Sequence, residues 1–250
     1  MKRIILGIAA LAVFQLMSVP AVMARNNAED LSAISRKGNF HLAKLAKANA
    51  CFKAEMEYPI FGRPALDQSV RAFAKRFFAQ EVADLKDGCA QLKADTKAGI
   101  ETEPKLQWYH VVRPQIVSTR RTVSIKFDID AYTGGAHPNH RVRTLILNTN
   151  GKELNYDDLF ANTEGLWTFL SEYARTALRP KMWEDWDKSS WVTDGLAPNA
   201  ESFQYFLVTP KGLTLIFPDY QVAPYVLGQQ HCGIPLAALA KFAPKPGIWK

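Results

Sequence analysis

Few features of this chain announce a chemistry. It has three cysteines in 250 residues. It has no Gly-x-Ser-x-Gly elbow of the kind that presents a serine nucleophile. No Gly-Lys-Ser/Thr follows a glycine-rich turn, so a phosphate-binding P-loop is excluded. No nucleic-acid-binding motif occurs, and the 31 Lys and Arg residues are spread rather than clustered, which argues against DNA or RNA as a partner. There is no internal repeat and no low-complexity tract. Beyond the first two dozen residues no run is apolar enough to span a bilayer.

The first residues are the informative exception. Lys2 and Arg3 precede an apolar run, Ile4 to Met17, broken only by Gly7 and Gln15. Ser18 and Pro20 end it, and Val22-Met23-Ala24 places small residues at cleavage spacing. The pattern predicts a secretory signal peptide over residues 1–24 and a periplasmic or secreted protein, with an uncleaved anchor as the alternative. No cysteine near the cleavage site supports a lipoprotein. The remaining chain of about 225 residues is long enough for one large core or two fused subdomains. The formal charge of +7 falls to +5 without Lys2 and Arg3, a mild preference for anionic partners.

In an oxidising compartment one pair among Cys51, Cys89 and Cys232 should close. Cys51–Cys89 is favoured, tying a first strand to the end of a first long helix. A loop of that size would contribute about 4 kcal/mol through chain entropy. Cys89–Cys232 is the rival pairing.

Periodicity supplies the elements. Helical leaning is expected around Phe40 to Lys47. "CFKAEMEY" alternates and reads as a half-buried strand. Ala65 to Lys86 reads as a helix with Leu66, Val70, Phe73, Phe77, Val82 and Leu85 on one face and Gly88 as its stop. Leu106 to Val117 suggests two short strands, or one with a bulge at Pro114. Thr122 to Tyr132 alternates cleanly, and Val142 to Leu147 is the next strand. A helix over Glu164 to Leu178, capped by Asn162 or Thr163, should turn Leu166, Phe169, Leu170, Tyr173 and Ala177 inward. A hairpin around "TPKG" and a short helix at "LAALAKF" complete the pattern. The fold class is therefore α+β, a mostly antiparallel sheet with a few packed helices. Two fused subdomains are expected, an N-terminal α+β module over 25–118 and a C-terminal α+β domain over 119–250.

Three segments in order, "YTGGAH", "NTNGKELNYDDLF" and "FPDYQVAPYVLGQQHCGIPLAAL", resemble the RsiV-like extracytoplasmic domain of bacteria, a domain of unknown function. "EMEYPIF" and the helix after it resemble the small N-terminal module that often precedes that domain. The resemblance covers roughly Cys51 to Phe242. It implies an exported envelope protein: the domain binds lysozyme in RsiV-type anti-sigma factors and is an accessory domain in some peptidoglycan deacetylases. No anti-sigma segment and no metal-dependent deacetylase domain are recognisable in this sequence.

"YTGGAHPNH" is the most unusual stretch, with Thr133 to His140 lying between two strand-like runs. His137 and His140 have the His-x-x-His spacing of a zinc pair, but Pro138 disfavours the helix that would align them and no carboxylate stands beside them. No metal and no cofactor are expected. Gly134 and Gly135 permit positive φ and a nest of backbone donors. The expected contact residues for a ligand or partner are Tyr132, Gly134, Gly135, His137, Asn139, Trp183 and Trp186. The tryptophans enter because exposed aromatics stack on sugars and anchor interfaces. Glu184, Asp185 and Asp187 offer an acidic patch for a basic partner such as lysozyme. Adjacent His231 and Cys232 should point apart on an extended chain, which argues against a thiol nucleophile.

The expected function is that of a non-catalytic envelope binding protein recognising lysozyme or a peptidoglycan-like glycan. The alternative is an envelope hydrolase acting on sugar or peptide bonds with His137 and a carboxylate such as Asp130. A structural or assembly role is the third reading.

Overall fold

A computed structural model describes residues 40–99 and 107–249. The expected signal peptide lies outside the described residues. The N-terminal part runs β1 (His41–Ala48), β2 (Phe52–Ile60), α1 (Pro64–Lys97), β3 (Trp108–Ser118), β4 (Thr122–Tyr132) and β5 (Asn139–Asn148). These strands form one sheet in the order β1-β2-β3-β4-β5. Neighbours are antiparallel except β2 and β3, which are parallel. A parallel pair needs a crossover, and α1 supplies it.

The second part contains α2 (Tyr156–Leu159), α3 (Leu166–Leu178), α4 (Ser190–Gly195), β6 (Phe206–Thr209), β7 (Gly212–Phe217), β8 (Gln230–Pro235) and α5 (Pro246–Trp249). Strands β6, β7 and β8 make an antiparallel three-stranded sheet. The α+β class with a mostly antiparallel arrangement is therefore observed.

Strand β4 sets the layering. Its odd-numbered residues Val123, Ile125, Phe127, Ile129 and Ala131 are buried on the α1 side, where Phe127 stacks on Phe73 at 5.2 Å. Its even-numbered residues face the small sheet. Ser124 Oγ donates to the Val208 carbonyl at 3.1 Å and accepts from the Val208 N–H at 2.9 Å. Lys126, only 4% exposed, reaches Gln229 Oε1 at 2.6 Å and Asp128 Oδ1 at 2.9 Å. Val117 and Val142 of the large sheet meet Leu207 and Ile216 of the small one. The other face of the small sheet, with Leu213, Leu215 and Phe217, packs on Leu166, Leu170, Ala174 and Leu178 of α3. The layers are thus α1, large sheet, small sheet, α3.

Several local expectations yield to these contacts. Phe40 to Lys47 is not helical, because β1 pairs along its length with β2. Helix α1 runs on to Lys97, and Gly88 is not its stop but a gap for an aromatic ring. A Cβ on Gly88 would lie 2.3 Å from Trp108 Cζ3. Strand β3 is continuous through Pro114, which lies past Val112, the last residue paired to β2, where a missing N–H leaves no partner unsatisfied. Helix α3 starts after Gly165 at φ 68°, with Asn162 instead accepting from the Glu164 N–H, and Ala177 is exposed. "LAALAKF" is a 3-10 helix. Ser118 is the last residue of β3, and residue 119 begins the turn to β4, its neighbour in the same sheet.

Cys51 and Cys89 form the disulfide, with Cα atoms 6.3 Å apart. Cys232 is free and buried, and burial pushes its thiol pKa up to about 11, which leaves it inert. His231, beside it on β8, points the other way, toward the sheet–sheet interface with Ile216.

Two outcomes follow from this packing. Gly88→Ala should improve helix propensity yet destabilise the protein by about 1–3 kcal/mol, because Trp108 occupies the space; urea denaturation measures it, and a stabilised variant would contradict the packing. Burial, with the charges of Lys126 and Lys181, lowers the His231 pKa from 6.5 to about 3. The unfolded chain therefore binds a proton there in a range where the folded chain does not. Stability should fall as pH drops from 6.5 toward 3. His231→Gln should remove about one proton's worth of that slope in melting temperature against pH.

Candidate functional site

The small sheet covers β4 only as far as Lys126. Beyond it the even-numbered face is open, and Asp128 and Asp130 line a cleft of about 530 Å³ together with Val111, Arg113 and Gln115 of β3 and His140 of β5. Residues Pro218 to Gln229, the connection from β7 to β8, supply the opposite rim through Asp219, Gly228 and Gln229. An adjoining hollow of about 330 Å³ shares His140, Arg141 and Asp219 and adds His110, Thr133, Asn139 and Tyr220.

The β4–β5 loop closes one end of this cleft. Strand β5 begins at Asn139, so the connection is six residues, Thr133 to Pro138, and His140 belongs to a strand. Gly134 and Gly135 take φ of 97° and 94°, values that a β-carbon disfavours. The Tyr132 hydroxyl donates to the Gly135 carbonyl at 3.2 Å. His137 Nδ1 lies 2.8 Å from the Pro138 carbonyl, which can only accept, so this nitrogen carries the proton. His137 Nε2 then accepts from the Tyr220 hydroxyl at 3.3 Å. Its ring stacks on Tyr225 with centroids 4.0 Å apart.

His140 stands between two carboxylates. Its Nδ1 is 3.1 Å from Asp219 Oδ2 and its Nε2 is 3.8 Å from Asp130 Oδ1. The first is a hydrogen bond and the second is too long for one. The Tyr225 hydroxyl is 3.4 Å from His140 Nδ1. Tyr220 stacks on Tyr225 at 5.7 Å and Trp191 on Tyr220 at 6.3 Å, extending the aromatic row. Tyr220 is 48% exposed and has φ 67°, an uncommon conformation for a bulky residue.

A buried ion cluster holds the strands beneath. Glu81 of α1, 2% exposed, receives both Arg141 guanidinium nitrogens, at 2.7 and 3.3 Å, and has His110 Nδ1 at 2.6 Å. Burial raises the Glu81 pKa, but His110 and Arg141 outweigh it and hold the carboxyl below its ordinary value. The cluster links α1 to β3 and to β5 beside His140.

The residues expected from sequence divide into two groups. Tyr132, Gly134, Gly135, His137 and Asn139 all lie at the cleft end described above. Trp186 does not: it is fully buried, and its Nε1 donates to the Val222 carbonyl at 2.7 Å, so no surface ligand can reach it. Trp183 is 39% exposed but belongs to the turn after α3, where Arg179 donates to its carbonyl. Trp191 is the tryptophan that joins the site. In the acidic patch, Asp185 pairs with Lys188 at 2.9 Å and Asp187 approaches Arg179 at 3.9 Å.

The histidine flanked by carboxylates is His140, whereas His137 is satisfied by a carbonyl and a phenol. Among the described residues no three His, Cys, Asp or Glu side chains are placed to hold a metal ion. Sequence reasoning did not assign Asp219, Tyr220, Tyr225, Gln115 or Gln229. The available signal was a long proline-flanked connection carrying two tyrosines, since such loops often carry function.

Two family models match this chain. Residues 45–140 match the family described as Deacetylase PdaC, and residues 157–237 match the protein family of unknown function DUF3298. The cleft joins these segments, with Asp130, His137 and His140 from the first and Trp191, Asp219, Tyr220 and Tyr225 from the second. The peptidoglycan-N-acetylmuramic acid deacetylase PdaC of Bacillus subtilis (strain 168) is 26% identical over 201 residues. That match covers 80% of this chain and 41% of the relative, so the chain spans about two fifths of the relative's length. A DUF3298 family structure from Bacteroides fragilis superposes with a TM-score of 0.56 at 15% identity, covering 83% of this chain and 95% of that one. One from Pseudomonas aeruginosa PAO1 gives 0.54 at 18% identity, covering 83% and 94%. These likenesses show a DUF3298-type fold and a sequence relationship to a peptidoglycan deacetylase.

Proposed function

We propose that this chain is an exported, non-catalytic module that binds peptidoglycan-type glycan in the cleft between β3–β5 and the β7–β8 connection. The observation that carries this reading is the row of Tyr225, Tyr220 and Trp191 beside an open polar cleft. Sugars present apolar C–H faces and a rim of hydroxyls, and a ledge of aromatic rings with adjacent carboxylates and amides matches both. The sequence relationship to a peptidoglycan deacetylase supports the polymer, and the signal-like N-terminus supports export. Tyr132, Gly134, Gly135, His137 and Asn139 form the end wall of the site, and Trp183 lies outside it.

Lysozyme, the partner implied by the RsiV resemblance, is the competing reading. A formal charge of +5 without Lys2 and Arg3 opposes a strongly basic protein, and Asp185 and Asp187 are engaged by Lys188 and Arg179.

Sedimentation with insoluble peptidoglycan tests the proposal. The wild-type chain should co-sediment. Tyr220→Ala should weaken retention about ten-fold, near the upper end of what one aromatic contact contributes, with little change in melting temperature. Full retention by a Tyr220→Ala/Tyr225→Ala variant would overturn the site. Tight binding to soluble lysozyme with none to peptidoglycan would favour the protein partner.

A further inference from the structure

Two residues lining the cleft each carry an acceptor oxygen with no hydrogen-bond partner, Asp130 Oδ1 and Gln115 Oε1, and the Asp130 side chain as a whole is 42% exposed, so its carboxylate can be approached from the cleft. Buried acceptors in a native protein are nearly always satisfied, so an unpaired one in a binding cleft identifies what its ligand must bring. Both oxygens can only accept, since Gln115 already uses its amide nitrogen to donate to Asp128 Oδ2 at 2.8 Å. The ligand must therefore supply donors. Asp130 faces Val111 across the sheet and Gln115 faces Lys126. Their backbone positions are thus offset by four residues of strand, about 13 Å, and the Gln115 amide leans back along the strand to Asp128. A polymer with donors at intervals can meet both.

The charge around Asp130 selects among donors. Three of the nearby cations are committed: Lys126 to Asp128 and Gln229, Arg141 to Glu81, and His140 to Asp219 by its one short contact. Arg113 is exposed, has no ion-pair partner among the described residues, and lies two strand residues, about 7 Å, from the position facing Asp130. Asp130 is left as a carboxylate without a short cationic contact, beside the aromatic ledge. A primary ammonium offers three donors and a charge, and a charge-assisted hydrogen bond is roughly twice as strong as a neutral one. An N-acetyl amide offers one neutral N–H and a bulky methyl.

Resting on the glycan-binding reading above, we propose that the cleft selects glycan whose amino sugars carry free amines, with Asp130 receiving the ammonium and Gln115 a donor further along the chain. The protein would then recognise polymer from which a deacetylation reaction has removed N-acetyl groups. Asp130 acts here in specificity, through direct contact with the sugar amine.

Calorimetric titration of the full chain with a glucosamine oligomer and with an N-acetylglucosamine oligomer of equal length tests this, at mildly acidic pH where the sugar amine is charged. The deacetylated oligomer should bind at least ten-fold more tightly, and added salt should weaken it more than the acetylated one. Asp130→Asn should bring the ratio of affinities close to one, and melting temperature checks its folding. If that variant unfolds, the salt dependence of the wild-type chain carries the decision. Equal or tighter binding of the acetylated oligomer, or a preference that survives in folded Asp130→Asn, overturns the inference. Binding of peptidoglycan with neither oligomer bound overturns it while leaving the glycan-binding reading in place. Loss of all three overturns both.

Discussion

The rest of the molecule depends on strand β4 being buried on both faces over only half its length. On one face every inward residue belongs to the core cluster that α1 shares, so that side is continuous core. On the other, the small sheet reaches Ser124 and Lys126 and stops. Burying Lys126 would be costly without Asp128 and Gln229, because an unpaired ammonium in a low-dielectric interior is strongly disfavoured. Those two partners are also cleft residues. The group that ends the sheet–sheet interface therefore begins the candidate site, and loosening one would disturb the other.

The site itself combines rigid and adaptable parts. Its floor is three hydrogen-bonded strands, two of them anchored to α1 through Glu81, which fixes Arg141 and His110 on the reverse side. Its rim is a connection held by side chains: Asp219 on His140, Tyr220 on His137, and Tyr225 stacked on both rings. A scaffold of this kind holds the floor groups on regular strands and carries the rim groups on a loop. The same residues explain why His137 looked chemical from sequence. It is a hinge between the loop and the rim, whereas the acid–base company belongs to His140.

Much of the fold was legible. The alternation of Thr122 to Tyr132, the apolar face of α1 and the turn at "TPKG" each follow from local periodicity, which backbone geometry converts directly into strand or helix. The disulfide was legible as one of two pairings. Misreadings arose where a distant partner outweighed local preference. The segment from Phe40 is Ala- and Lys-rich yet forms a strand because β2 offers an edge. Gly88 resembles a helix stop, but Trp108, twenty residues on, requires its missing side chain. Trp186, amid charged neighbours, is drawn inside by a carbonyl at Val222.

By itself the sequence determined most element types, the cysteine pair to favour and the loop at one end of the candidate site, "YTGGAHPNH", because each depends on residues close together in the chain. Only the tertiary structure decided that Ser124 and Lys126 are buried while Asp128 and Asp130 line a cleft. The four alternate identically in sequence, and the difference comes from how far a second sheet extends. Tertiary structure also brought Asp219, Tyr220 and Tyr225 across some eighty residues of chain to His137 and His140. Contacts of that span are set by the packing of whole layers, which no local pattern encodes.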